Sequence, residues 1–156
     1  MNREANVPAN RSIVPGPTEL PPVGFTAFPD VTRLYSEREA VLFREVTFNS
    51  GDAFDADTSA FTCPTFGVYI FTLVYTQRAT SARLHIMKET DVLFTLVADQ
   101  SHAVAAPTWS TSSGTVVVQC DSGQRVWVQS NTSGQVFSQN NRLKHTVFVG
   151  FLLSKL

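Results

Sequence analysis

The stretch Gly67-Val-Tyr-Ile-Phe-Thr-Leu-Val-Tyr75 decides how this chain is read. Its β-branched and aromatic residues fit a pleated surface better than a helix. At the two-residue period of a strand, one face carries Tyr69, Phe71, Leu73 and Tyr75, and the other carries Val68, Ile70 and Val74. A sandwich strand needs one apolar face for the core, so the second apolar face calls for a further cover, most simply another subunit. Thr146-Val-Phe-Val-Gly-Phe-Leu-Leu153 repeats the pattern, with Val147, Val149, Phe151 and Leu153 on one side and Phe148 and Leu152 on the other. The two stretches together predict an oligomer.

Outward from these stretches the chain is a series of short strand-like runs: 24–28, 44–48, 60–62, 82–88, 92–97, 115–119 and 125–129. Turn residues separate them, in Asn49-Ser-Gly-Asp52, Asp55-Ala-Asp57, Asp121-Ser-Gly123 and Asn131-Thr-Ser-Gly134. Nine or ten strands at this spacing predict an all-β antiparallel sandwich or jelly roll. Tyr35 to Phe43 is the one segment rich in helix formers, and it reads as a loop leading into a strand. Residues 1–22 hold five of the eight prolines and little apolar periodicity, which gives an extended leader at 1–22 and a globular domain at 23–156.

A chain of 156 residues that is 43% hydrophobic can bury one core. With 12 Lys+Arg against 13 Asp+Glu, and only 16% of residues charged, nothing suits a nucleic-acid backbone or an anionic membrane as partner. The opening Met-Asn-Arg-Glu-Ala-Asn shows no signal peptide. The uncharged window from Thr58 to Gln77 contains Pro64 and Gly67, so membrane insertion is not expected.

Phe43, Asn49, Phe54, Phe61, Gly67, Tyr69 and Phe71 resemble the spaced signature of the complement C1q globular-head domain family, with Leu73 where that signature has a ring. Three further blocks are similar to the same family: Val23-Gly-Phe-Thr-Ala27, Gly123-Gln-Arg-Val-Trp-Val-Gln129 and Phe148-Val-Gly-Phe-Leu-Leu153. The resemblance implies a ten-strand jelly roll related to the tumour necrosis factor fold and assembled as a homotrimer. Tyr69, Phe71, Leu73, Tyr75 and Phe151 then belong to the trimer interface or the core. It also implies a secreted, non-enzymatic recognition module for microbial-surface or glycan ligands. The alternative is a structural or signalling trimer that binds a protein receptor.

Residue chemistry adds little that is catalytic. His85, His102 and His145 share no ligand spacing, and Asp99-Gln-Ser-His102 places triad residue types too close together on one loop to orient one another. Turn chemistry accounts for Asp52, Asp55 and Asp57. No cofactor is expected. In relatives of this family that bind calcium, the resemblance assigns an Asp-Gln pair and the Asp of the Gly-Asp-x-Val-Trp strand. Asp99 and Gln100 could supply the pair, but Gln124 replaces the other carboxylate, so calcium is not favoured.

Cys63 occupies a position whose disulfide partner in relatives lies about twenty residues on, where this chain has Leu84 and His85. Cys120 would have to serve instead, and two unpaired, largely buried thiols are expected. Asn10-Arg-Ser12 and Asn131-Thr-Ser133 are glycosylation sequons for a secreted chain, and a peroxisomal role for Ser154-Lys-Leu156 is not favoured. For ligand contact the candidates are Arg78 and Arg83, whose guanidinium forks would suit a carboxylate such as that of sialic acid. Trp109, in the polar run Pro107 to Gly114 read as a loop, offers a flat face for a sugar. Trp127 reads as packing.

Overall fold

The computed structural model describes residues 22–78, 82–98, 109–136 and 144–156, and among them there is no helix. The strands are β1 (Gly24–Phe28), β2 (Arg33–Tyr35), β3 (Glu45–Ser50), β4 (Phe54–Asp55), β5 (Ala60–Thr62), β6 (Gly67–Arg78), β7 (Ala82–Lys88), β8 (Asp91–Ala98), β9 (Trp109–Cys120), β10 (Arg125–Ser130), β11 (Gly134–Val136) and β12 (Val147–Lys155). Ten of them form two five-stranded antiparallel sheets, ordered β3-β1-β12-β6-β9 and β4-β5-β10-β7-β8. A ribbon of β2 and β11 stands beside them. The expected ten-strand jelly roll is what forms, and the expected leader, residues 1–21 in particular, lies outside the described residues.

The two-faced strands lie where their composition sends them, adjacent and central in the first sheet. Tyr69, Phe71, Leu73 and Tyr75 are fully buried between the sheets, so these four are core residues and not interface. The second sheet returns Phe61, Leu84, Ile86, Leu96, Val126 and Val128 into the same space. Aromatic rings fill the middle. Phe148 meets Phe25 edge-on at 5.0 Å between centroids and lies within 6.2 Å of Phe71, and Phe25 stacks on Phe54 at 4.2 Å. Gly150 makes this possible, because a Cβ there would come 2.5 Å from a Phe25 ring atom and 2.6 Å from a Phe71 ring atom.

The turns follow their residue chemistry. Asn49 bridges its own turn, its Nδ2 donating to Phe54 O at 2.9 Å while its Oδ1 accepts from Phe54 N at 3.2 Å. Asp55 Oδ1 accepts from the backbone N–H groups of Asp57 and Thr58, which holds its carboxyl below the usual range and commits it to the turn. Tyr35 closes β2, and 36–43 is a loop leading into β3, tied down where Leu42 N donates to Tyr35 Oη and Phe43 N to Ser59 Oγ.

The polar run before Thr115 departs from its reading as a loop. Trp109 to Gly114 is the first half of β9, paired along its length with β6. Thr hydroxyls account for this, because Thr76 meets Thr111, and Thr72 meets Thr115, each pair 2.9 Å apart across the strands. An edge strand with one solvated face needs no apolar alternation on that side.

Candidate functional site at one end of the sandwich

Antiparallel pairing brings the end of β6, the start of β7, the end of β8, the start of β9 and the end of β10 to one end of the molecule. The residues that precede β12 arrive there too. A buried polar network fixes this end. Gln77, with no exposed surface, donates from Nε2 to Ala98 O at 2.5 Å and accepts from Tyr75 Oη at 3.3 Å. Thr76 Oγ1 donates to His145 O at 2.9 Å, and Thr76 N donates to Thr146 Oγ1 at 3.2 Å. Buried polar groups satisfied in this way position the groups above them.

Trp109 is 46% exposed, and its ring stacks on His145 at 5.3 Å with 21° between planes. Arg78 is its register partner at the end of β6, and the Arg78 side chain lies outside the description. Arg83, exposed on β7, donates its N–H to Thr132 Oγ1 at 3.1 Å, and its carbonyl accepts from Asn131 N at 2.9 Å. The three candidate ligand residues thus share one end, although Trp109 belongs to the first sheet and Arg83 to the second.

Asp99, Gln100 and His102 lie outside the described residues, and Gln124 lies in the turn before β10. Among the described residues no cluster of three or more His, Cys, Asp or Glu is placed to hold a metal ion. His85 lies on β7 of the second sheet, and His145 lies in the segment before β12.

Two further features shape the surface. Trp127 is half-buried on the outer side of β10, with Arg125 Cζ 6.0 Å from its ring centre, because Val126, Val128 and Ser130 take the inward positions. The Val126/Val128 alternation carried that signal. The second feature is the outer face of the first sheet. Phe151, Ile70 and Val117 run side by side across it, followed by Val149, Thr72 and Thr115 and then by Val147, Val74 and Ser113. Phe48 extends the patch, its ring 5.9 Å from Phe151. Phe48 and Val117 are 40% and 57% exposed, so this apolar face is open on a single chain. Val68, Ile70 and Val74 were legible there as the second apolar face, but Val117 was not.

His85 faces out of the second sheet between Gln129 and Thr95. Desolvation holds its imidazole below the ordinary histidine range. The unfolded chain therefore takes up this proton first as pH falls below about 6.5, and stability rises with pH across that window. The His85 contribution is complete above the unfolded value and is lost as pH falls through the folded one. His85→Gln should flatten the dependence of Tm on pH between neutral and about pH 5. Parallel melts of the two proteins check this, and an unchanged slope would show that other groups carry it.

A family model described as the C1q domain matches residues 25–153. Caprin-2 of Danio rerio is 31% identical over 117 residues, 74% of this chain and 12% of that protein. Protein HP-25 homolog 1 of Bos taurus is 27% identical over 116 residues, 74% of this chain and 51% of its own length. The chain thus spans about half the length of such relatives, or less. The globular domain of zebrafish complement 1qA superposes with a TM-score of 0.70 at 20% identity, covering 86% of this chain and 99% of that one. Eiger TNF from S. frugiperda superposes with a TM-score of 0.66 at 8% identity, covering 88% and 96%. At these identities the superpositions show the shared fold.

Proposed function

The chain belongs to the C1q domain family, and from that premise we propose a homotrimeric, non-catalytic module that binds glycans or other repeated microbial-surface ligands at the Trp109 end of the sandwich. The observation that carries this reading is the pairing of an open apolar sheet face, suited to a second copy, with an exposed, well-supported aromatic at one end. Domains of this family are generally non-enzymatic. Trimerisation would present three such ends together and raise weak single-site affinity through avidity.

The exposed Trp109 indole is the proposed sugar platform, and Arg78 and Arg83 are the proposed partners of an acidic substituent. We read the chain as acting outside the cell. Relatives include one named as a plasma protein, and no described helix is long and apolar enough to cross a membrane.

A glycan array with and without EDTA, after light scattering has fixed the mass, tests the proposal. Sialylated or microbial glycans should be retained by the trimer, with the signal unchanged by EDTA. Trp109→Ala should weaken binding roughly tenfold at each site, equivalent to about 1.4 kcal/mol. A trimer that ignores every glycan would transfer the reading to a protein receptor.

A further inference from the structure

Cys63 follows β5 in the second sheet, and Cys120 closes β9 in the first. Their flanking segments are knitted together. Cys63 N donates to Gln124 O at 2.8 Å, Gly123 N donates to Cys63 O at 2.8 Å, and Ser122 Oγ donates to Pro64 O at 3.3 Å. Cys120 is in turn the register partner of Gly67, four residues beyond Cys63. Both cysteines are free and have no exposed surface. The two thiols are neighbours, each the largest influence on the other's acidity. Thiols brought together by two strand ends and a shared set of backbone hydrogen bonds need little movement to reach bonding distance.

We propose that Cys63 and Cys120 form an intrachain disulfide when the chain folds in an oxidising compartment, fastening the two sheets at the end opposite Trp109. The co-reactant is a small-molecule disulfide such as oxidised glutathione. One protein thiolate attacks a sulfur of that disulfide, forming a mixed disulfide and releasing one small thiolate. The second protein thiolate then attacks the protein sulfur of the mixed disulfide, closing the Cys63–Cys120 bond and releasing the other small thiol. The protein is oxidised by two electrons, the small disulfide is reduced by two, and the two protein protons leave with the small thiols.

The Cys63 neighbour holds the Cys120 thiol below the usual cysteine range, and the Lys88 ammonium nearby acts in the same direction. Cys120 beside it, with burial, pushes the Cys63 thiol up. Because both sulfurs are enclosed in the finished fold, the bond closes during folding and is afterwards shielded from reductants.

The test is to refold the full chain from denaturant in a buffer of reduced and oxidised glutathione, and in a fully reduced control. The expected product is monomeric on a denaturing non-reducing gel, lacks titratable thiol, and yields a Cys63–Cys120 linked peptide on digestion without reductant. Its Tm should exceed that of the reduced control by roughly 10 °C, since the bond closes a long loop. Cys63→Ser and Cys120→Ser should each abolish that redox-dependent difference while still folding in reductant. Two free thiols after oxidative refolding would overturn the proposal, as would a cross-link between chains or a Tm that ignores reduction in the linked protein.

Discussion

Phe148→Ala should cost about 3–5 kcal/mol, the largest loss expected from any single substitution argued here. Phe148 has no exposed surface and meets rings from three directions. Phe25 and Phe71 come from its own sheet, Phe54 from the opposite one, and Phe43 from the segment between β2 and β3. Truncation leaves a cavity lined by rings that are themselves stacked, so neighbours cannot collapse into it without breaking other aromatic pairs. Against a typical total of 5–15 kcal/mol, such a loss lowers Tm by roughly 10 °C. Urea and thermal unfolding of the two proteins measure it. A loss below about 1 kcal/mol would show that the aromatic cluster can repack, contrary to the close approach that Gly150 permits.

The same close packing explains what could be read from the sequence and what could not. β6 and β12 were legible because period-two patterning is a local property: Tyr69, Phe71, Leu73 and Tyr75 must share a face, and burial follows wherever the strand is central. The turns were legible for a similar reason, since Asn49 and Asp55 carry their own hydrogen-bond acceptors for nearby N–H groups. The first half of β9 was not legible, because Ser and Thr signal loops and edge strands alike, and only pairing with the end of β6 separates the two. The ribbon of β2 and β11 was missed because each strand has three residues and their pairing spans about a hundred positions.

The candidate site divides along the same line. That Arg78, Arg83 and Trp109 reach one end depends on antiparallel connections between two sheets, which no local spacing encodes. Trp127 packs as read, and the two inward valines beside it set its direction outward, against Arg125.

Ile70→Asp should separate subunits without unfolding them. Ile70 lies between Phe151 on β12 and Val117 on β9, at the centre of the open apolar face, and its neighbours Tyr69 and Phe71 point the other way into the core. In an assembled trimer the carboxylate would be desolvated without a partner, a cost of about 3 kcal/mol or more at each interface, or roughly a hundredfold in affinity. Threefold repetition compounds that loss, since every interface carries the same substitution. Light scattering should move from the mass of a trimer to that of one chain, while the circular dichroism of the β-sandwich is kept, because no side chain between the sheets has changed. Val97→Asp is the matched control. Val97 is 50% exposed but opposes Arg83 on the outer side of the second sheet, so a charge there should leave the mass unaltered. If Ile70→Asp remained trimeric, or if Val97→Asp dissociated the assembly instead, the subunits would meet through the second sheet, and the apolar face of the first would need a different occupant.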